Sequence, residues 1–116
     1  MTGDEGKDTA KTFAERYEAV LLPVIFRRWA QELIRRSSPS DGEHILDLAC
    51  GTGAVTREIA ATGIAPGSLT GADLSADMLT VARDMAAKGG IDAKWVEAEA
   101  GHLPFPDNRF DLAVCQ

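Results

Sequence analysis

The run Ile45-Leu46-Asp47-Leu48-Ala49-Cys50-Gly51-Thr52-Gly53 constrains the fold more than any other part of the chain. An apolar stretch of β-strand character ends in two glycines one residue apart. Ala54–Thr62 follows at once, with Val55, Ile59 and Ala60 at helical spacing. A strand that turns on glycines directly into a helix opens a strand–helix–strand unit. The glycines let the backbone pass close beneath a ligand, and the first turn of the helix offers N–H groups that have no partner inside it. Gly63 suits the far end of that helix.

The alternation continues downstream. Ser68–Asp73 reads as a second strand, and Ser75 as the N-cap of a helix running to Lys88 with Met78, Leu79, Ala82, Met85 and Ala86 on its apolar side. Gly89-Gly90 stops it. Ala93–Glu97 is a third strand, Pro104–Arg109 a turn and Phe110–Cys115 a fourth strand. Right-handed crossovers then predict an α/β fold with a parallel sheet and helices on both faces. Ahead of this lies a helical lead-in. Phe13, Tyr17, Val20 and Leu21 form one stripe; Pro23 predicts a break, and a second helix follows with Phe26, Trp29, Ala30, Leu33 and Ile34 on its face. The organisation expected is a flexible N-terminus over 1–8, a helical lead-in and linker over 9–42, and a ligand-binding domain over 43–116.

Composition removes several classes of function. The 116 residues carry 18 Asp or Glu against 12 Lys or Arg, a formal net charge of −6. That balance opposes the counterion release that drives phosphate-backbone binding, so nucleic acid is not an expected partner. With 45% hydrophobic and 26% charged residues the chain is globular in type. The longest apolar run, Ala19–Phe26, contains Pro23 and falls far short of the roughly 20 residues of a membrane span. Cys50 and Cys115 make neither a disulfide framework nor a metal set, and a polar start shows no secretory signal, so a cytoplasmic location is expected.

What the glycine turn holds is narrowed by what it lacks. A dinucleotide fingerprint needs a third glycine, and Thr56 stands there. A P-loop needs a lysine, and none lies between Gly51 and Gly63. What remains is a glycine turn with a carboxylate, Asp47, on the strand before it, which suits a ligand bearing an ammonium group. Asp73 closes the second strand 20 residues after Gly53, where a sheet of this kind presents a carboxylate to a ribose diol.

Together these residues resemble the class I S-adenosylmethionine-dependent methyltransferases, and most closely the small-molecule group of the ubiquinone/menaquinone-biosynthesis type. The resemblance covers about residues 12–116. Ile45–Gly53 is similar to the family's first motif, Gly71-Ala72-Asp73-Leu74-Ser75 to its second, and Glu99–Asp111 to the signature joining its third and fourth strands. It implies a Rossmann-like sheet of order 3-2-1-4, part of a seven-stranded order 3-2-1-4-5-7-6, with S-adenosylmethionine as cofactor and a small molecule as acceptor. It also implies roles. Asp47, Ala49, Cys50, Gly51 and Gly53 would line the methionine end; Ala49 stands where a glycine is common. Asp73 would bind the ribose hydroxyls, with Leu74 and Met78 on the adenine. Glu99, in a place usually held by Asp, and Ala100 would reach the adenine edge. Cys115 and Gln116 would lie near the sulfonium, and Phe13 and Tyr17 would help close the site.

Plainer readings stand beside these. Asp47 also suits a structural cap of the glycine turn, and Glu99 a solvated strand end. His102 reads as a surface loop residue, the two cysteines as small buried hydrophobes, and Trp29 and Trp95 as core. Arg27, Arg28, Arg35 and Arg36 read as a solvated helix face. No general base is identified, and no metal site is expected. Because the chain stops directly after a strand of buried type, it reads as a truncated protein or one completed by another copy, with a homodimer through the open sheet edge as a corollary. The chain is thus expected to be the cofactor-binding portion of a methyltransferase, weakly active or inactive alone. The alternatives are a nicotinamide-dependent oxidoreductase fragment and a non-catalytic, self-associating fragment.

Overall fold

A computed structural model describes residues 13–116. The tail expected over 1–8 lies outside the described residues. Helical backbone occupies 13–16, passes into a π-helical stretch at Tyr17–Phe26 and continues as α1 (Arg27–Ser37). The remaining elements are β1 (His44–Leu48), α2 (Ala54–Ala61), β2 (Ser68–Asp73), α3 (Ala76–Lys88), β3 (Lys94–Glu97) and β4 (Leu112–Cys115). The four strands form one parallel sheet of order β3-β2-β1-β4.

The break predicted at Pro23 does not occur. Proline has no N–H to donate, which costs an α-helix one of its i→i−4 bonds. The chain runs through this residue in the wider i→i+5 turn instead. That widening also changes which residues share a face. Val20, Leu21 and Phe13, expected on an apolar stripe of α-helical period, are exposed, and Trp29, expected in the core, is 66% exposed. Ala30 and Ile34 are the residues of α1 that reach the interior.

Register fixes what lies under the helices. Ile45 is level with Leu69 and Leu112, and Asp47 with Gly71 and Val114. Ala30 and Ile34 of α1 and Val55 and Ile59 of α2 join Ile45, Leu69 and Val114 in one core cluster. Trp95, level with Gly71, lies on that same face of the sheet. Its indole sits so close to Gly53 that a Cβ there would meet it at 2.7 Å and the Ala82 Cβ of α3 at 3.4 Å. α1, α2 and α3 therefore occupy one face of the sheet, not both. The reason is directional. β1, β2 and β3 step across the sheet one way, and right-handed crossovers in one direction stay on one side. The return from β3 to β4, which would cross the other face, is made by the loop 98–111, with Phe105 and Phe110 edge to face at 5.0 Å. Hydrogen bonds from Asp111 N–H to the His44 carbonyl and from His44 N–H to the Asp111 carboxylate, both 2.8 Å, fix the start of β4 beside β1.

Candidate functional site

The order 3-2-1-4 reverses between β1 and β4, and the carboxyl ends of strands at such a reversal are where open α/β sheets take ligands. The glycine turn and the end of β4 meet there. Asp47, Ala49, Cys50 and Gly51 line a cavity of about 90 Å³, with Gln116 at one side and Ala54 and Val55 from the start of α2. Tyr17 and Phe26, stacked with centroids 5.5 Å apart, form the roof. Gln116 Nε2 donates to the Phe26 carbonyl at 3.0 Å, tying the end of β4 to that roof.

Asp47 is 2% exposed. Its Oδ2 accepts from the Thr56 hydroxyl at 2.8 Å and from the Thr56 N–H at 3.2 Å, so the residue at the third glycine place serves to hold this carboxylate. Burial pushes its pKa up from 3.8 to about 6; the two bonds from Thr56 oppose that rise, and the charge of Asp73 adds to it. Burial, with the charges of Asp47 and Asp73, likewise raises the Cys50 thiol well above its ordinary value. That thiol is no nucleophile. Tyr17 is raised too, by burial first and then by Glu18 and Asp73.

Asp73 is spread between two backbone donors, Gly51 N–H to Oδ2 and Ser75 N–H to Oδ1, each at 2.8 Å. It thus fixes the glycine turn to the end of β2. Ser75 caps α3 by accepting from Met78 N–H at 3.3 Å. Leu74, beside it, is 69% exposed and half-buried Met78 lies one turn on, an apolar ledge next to the carboxylate.

The glycines divide by role. Gly51 has φ +55° and open space where a side chain would project, which leaves room for a ligand. Gly53, read as part of the ligand's path, has its open side filled by Trp95. Ala49 holds φ 55°, a left-handed conformation that costs a non-glycine residue on the order of 1 kcal/mol. Glu99 and Ala100 are exposed at the far side, in a turn where His102 N–H donates to the Glu99 carbonyl at 3.0 Å. Cys115 is exposed at the end of β4, contrary to the buried reading, while Cys50 is buried. Phe13 is exposed and does not line the cavity. Arg57, not anticipated as a site residue, reaches from α2 to both the glycine turn and the roof: it donates to the Thr52 carbonyl and pairs with Glu18. A groove of about 920 Å³ between the N-terminal helical segment and α3 is larger, but it contains neither the glycine turn nor Asp73.

A glycine turn flanked by two carboxylates at a strand-order reversal is a nucleoside-type ligand site, and comparison with known proteins identifies the family. Residues 45–116 match the model of the methyltransferase domain family, and the chain belongs to that family. Its relatives include a ubiquinone/menaquinone biosynthesis C-methyltransferase of Stutzerimonas stutzeri, 40% identical over 92 residues that cover 78% of this chain and 36% of that one. A demethylmenaquinone methyltransferase of Lactiplantibacillus plantarum is 35% identical over 109 residues, 92% of this chain and 46% of that one. Among solved structures, a Methanococcus maripaludis protein assigned as an S-adenosylmethionine-dependent methyltransferase superposes with a TM-score of 0.74 at 25% identity, over 95% of this chain and 49% of that one. The chain therefore spans less than half the length of these curated relatives. Among the described residues no helix is long and apolar enough to cross a membrane.

The residues present fit the family's cofactor. Gly51 leaves the space a ligand backbone needs, a carboxylate lies on either side of it, and an exposed apolar ledge adjoins Asp73.

Proposed function

We propose that this chain binds S-adenosylmethionine and forms the cofactor-binding portion of a methyltransferase whose acceptor is a small molecule, with little or no turnover by these 116 residues alone. Asp47 would take the ammonium group, Asp73 the ribose hydroxyls, and Leu74 and Met78 the adenine face, with Glu99 and Ala100 beyond them. The cofactor supplies a methyl group on a sulfonium, a good thioether leaving group. The protein's part is to hold donor and acceptor in line and to exclude water under the Tyr17–Phe26 roof. No general base is assigned; one is needed where the acceptor loses a proton in the transfer.

The observation that carries the reading is the pairing of two carboxylates across one glycine turn. Asp47 lies in the cavity beneath it, and Asp73 is bonded to its Gly51 N–H. The expectation of weak turnover rests on the span of the chain relative to the S. stutzeri and L. plantarum enzymes named above. Calorimetric titration with S-adenosylhomocysteine and, separately, with NADH tests the first part. Saturable binding of the former, lost in Asp73→Ala, is the expected result, and binding of NADH alone would overturn it. Robust methyl transfer to a panel of quinol, phenol and amine acceptors would overturn the second part.

A second reading, self-association through β4, is favoured by the contrast between the two sheet edges. β3 presents Lys94 and Glu97 to solvent, whereas β4 reads Leu-Ala-Val-Cys with Ala113 and Cys115 exposed. An edge without charge is one that other strands can join.

A further inference from the structure

We infer that Arg57 is a positioning residue that clips the Tyr17 roof to the glycine turn and so sets how long the cofactor stays bound. The inference rests on the cavity being the site of the cofactor's methionine end.

One guanidinium serves two elements. Nη1 of Arg57 donates to the carbonyl of Thr52, the central residue of the glycine turn, and Nη2 pairs with the carboxylate of Glu18. Glu18 adjoins Tyr17, whose ring closes the cavity with Phe26. The two charged side chains are 18% and 12% exposed, so this pair is mostly withdrawn from water, unlike the Arg27–Glu58 pair or those of Glu32 with Arg35 and Arg36 on the surface. A pair in that setting holds its geometry, because parting it leaves a desolvated charge without a partner. Nothing else among the described contacts links the roof to the floor so directly. The Gln116 bond ties the roof to β4 instead.

The cavity under the clip is too small for its ligand. Its 90 Å³ is about the volume of three waters at ~30 Å³ each, whereas pockets that enclose organic ligands measure roughly 300–1,000 Å³. The methionine end can enter or leave only when the roof lifts, and lifting it separates Glu18 from Arg57. Arginine is suited to this task and lysine is not. Its planar fork points separate donors at a carbonyl and a carboxylate at once, while an ammonium on a flexible stem is a single point charge.

The test uses the 116-residue chain with Glu18→Gln and Arg57→Lys. Two quantities are read: release of S-adenosylhomocysteine by stopped-flow displacement, and hydrogen exchange of the backbone at 17–26 in the free chain. Both variants are expected to release the ligand about tenfold faster and to lose protection at 17–26. Amides of β1 and β2 should keep wild-type protection, which shows that the sheet remains folded. A purely structural role for Arg57 would lower protection throughout and leave the release rate from the folded fraction unchanged. Wild-type release rates in both variants overturn the clip alone. A wild type that binds no S-adenosylhomocysteine overturns the site assignment, and the clip falls with it.

Discussion

In the role proposed for it, Asp47 sets binding against stability at one residue. Its carboxylate is buried beneath the glycine turn and, among the described side chains, held by Thr56. Burial raises its pKa from 3.8 to about 6. Because the folded value lies above the unfolded one, the residue's contribution to stability is complete below about pH 4 and is lost as pH rises through about 6. At neutral pH the protein therefore carries a desolvated charge at a cost on the order of 3 kcal/mol. Asp47→Asn removes the charge and leaves an amide oxygen for Thr56. In thermal melts across pH, the variant's advantage should grow between about pH 4 and 6.5 and then level off. Its affinity for S-adenosylhomocysteine at neutral pH should fall by about tenfold, since an ammonium loses its ionic partner. A stability gap that is constant with pH would sink this account of Asp47.

Among the elements, the β2–β3 pair explains glycines that the sequence offered for a different reason. Gly71 is level with Trp95, and a Cβ at Gly71 would lie 2.4 and 2.5 Å from indole carbons and 3.0 Å from Cys50 Sγ. Gly53 meets the same ring from the loop. One tryptophan thus requires two glycines. Gly71→Ala should cost about 2–3 kcal/mol by overpacking, and much less in a Trp95→Leu background. Denaturant unfolding of the four members of this cycle measures the coupling, and additive costs would show that the indole is not the obstacle. The strands and the helices after the glycine turn and after Ser75 were legible, because alternation, glycines and a serine cap all act locally. Observed ends differ from expected ones by one or two residues, with β3 opening at Lys94 and β4 at Leu112. The N-terminal segment was not legible in detail, since a π turn shifts the face that a 3.6-residue stripe defines and leaves Trp29 in solvent. The two Asp residues could be read from their place on the strands. The Arg57–Glu18 link could not, because it joins residues 39 positions apart through side chains with no shared motif.

At the scale of the whole molecule, the sheet has two unlike edges and two unlike faces. The described helices cover one face, and Ala113 and Cys115 belong to the other, exposed at the edge strand β4. On β3, charged residues discourage further pairing, whereas the Leu112–Cys115 backbone has no such guard. If two copies meet there, a two-fold axis makes the β4 strands antiparallel and brings the same four residues of each into contact. The self-association reading then predicts a concentration-dependent dimer in sedimentation velocity. Ala113→Lys should abolish it, because it puts a charge in the middle of an otherwise uncharged strand contact. The substitution lies on the face away from the core cluster, so the sheet itself should be spared and the melting temperature of a dilute sample should move little. A wild-type chain that stays monomeric at high concentration rules the dimer out. A dimer that survives Ala113→Lys places the contact elsewhere, and the exposed Leu21, Ile25 and Trp29 of the N-terminal helices are then the apolar surface to alter next.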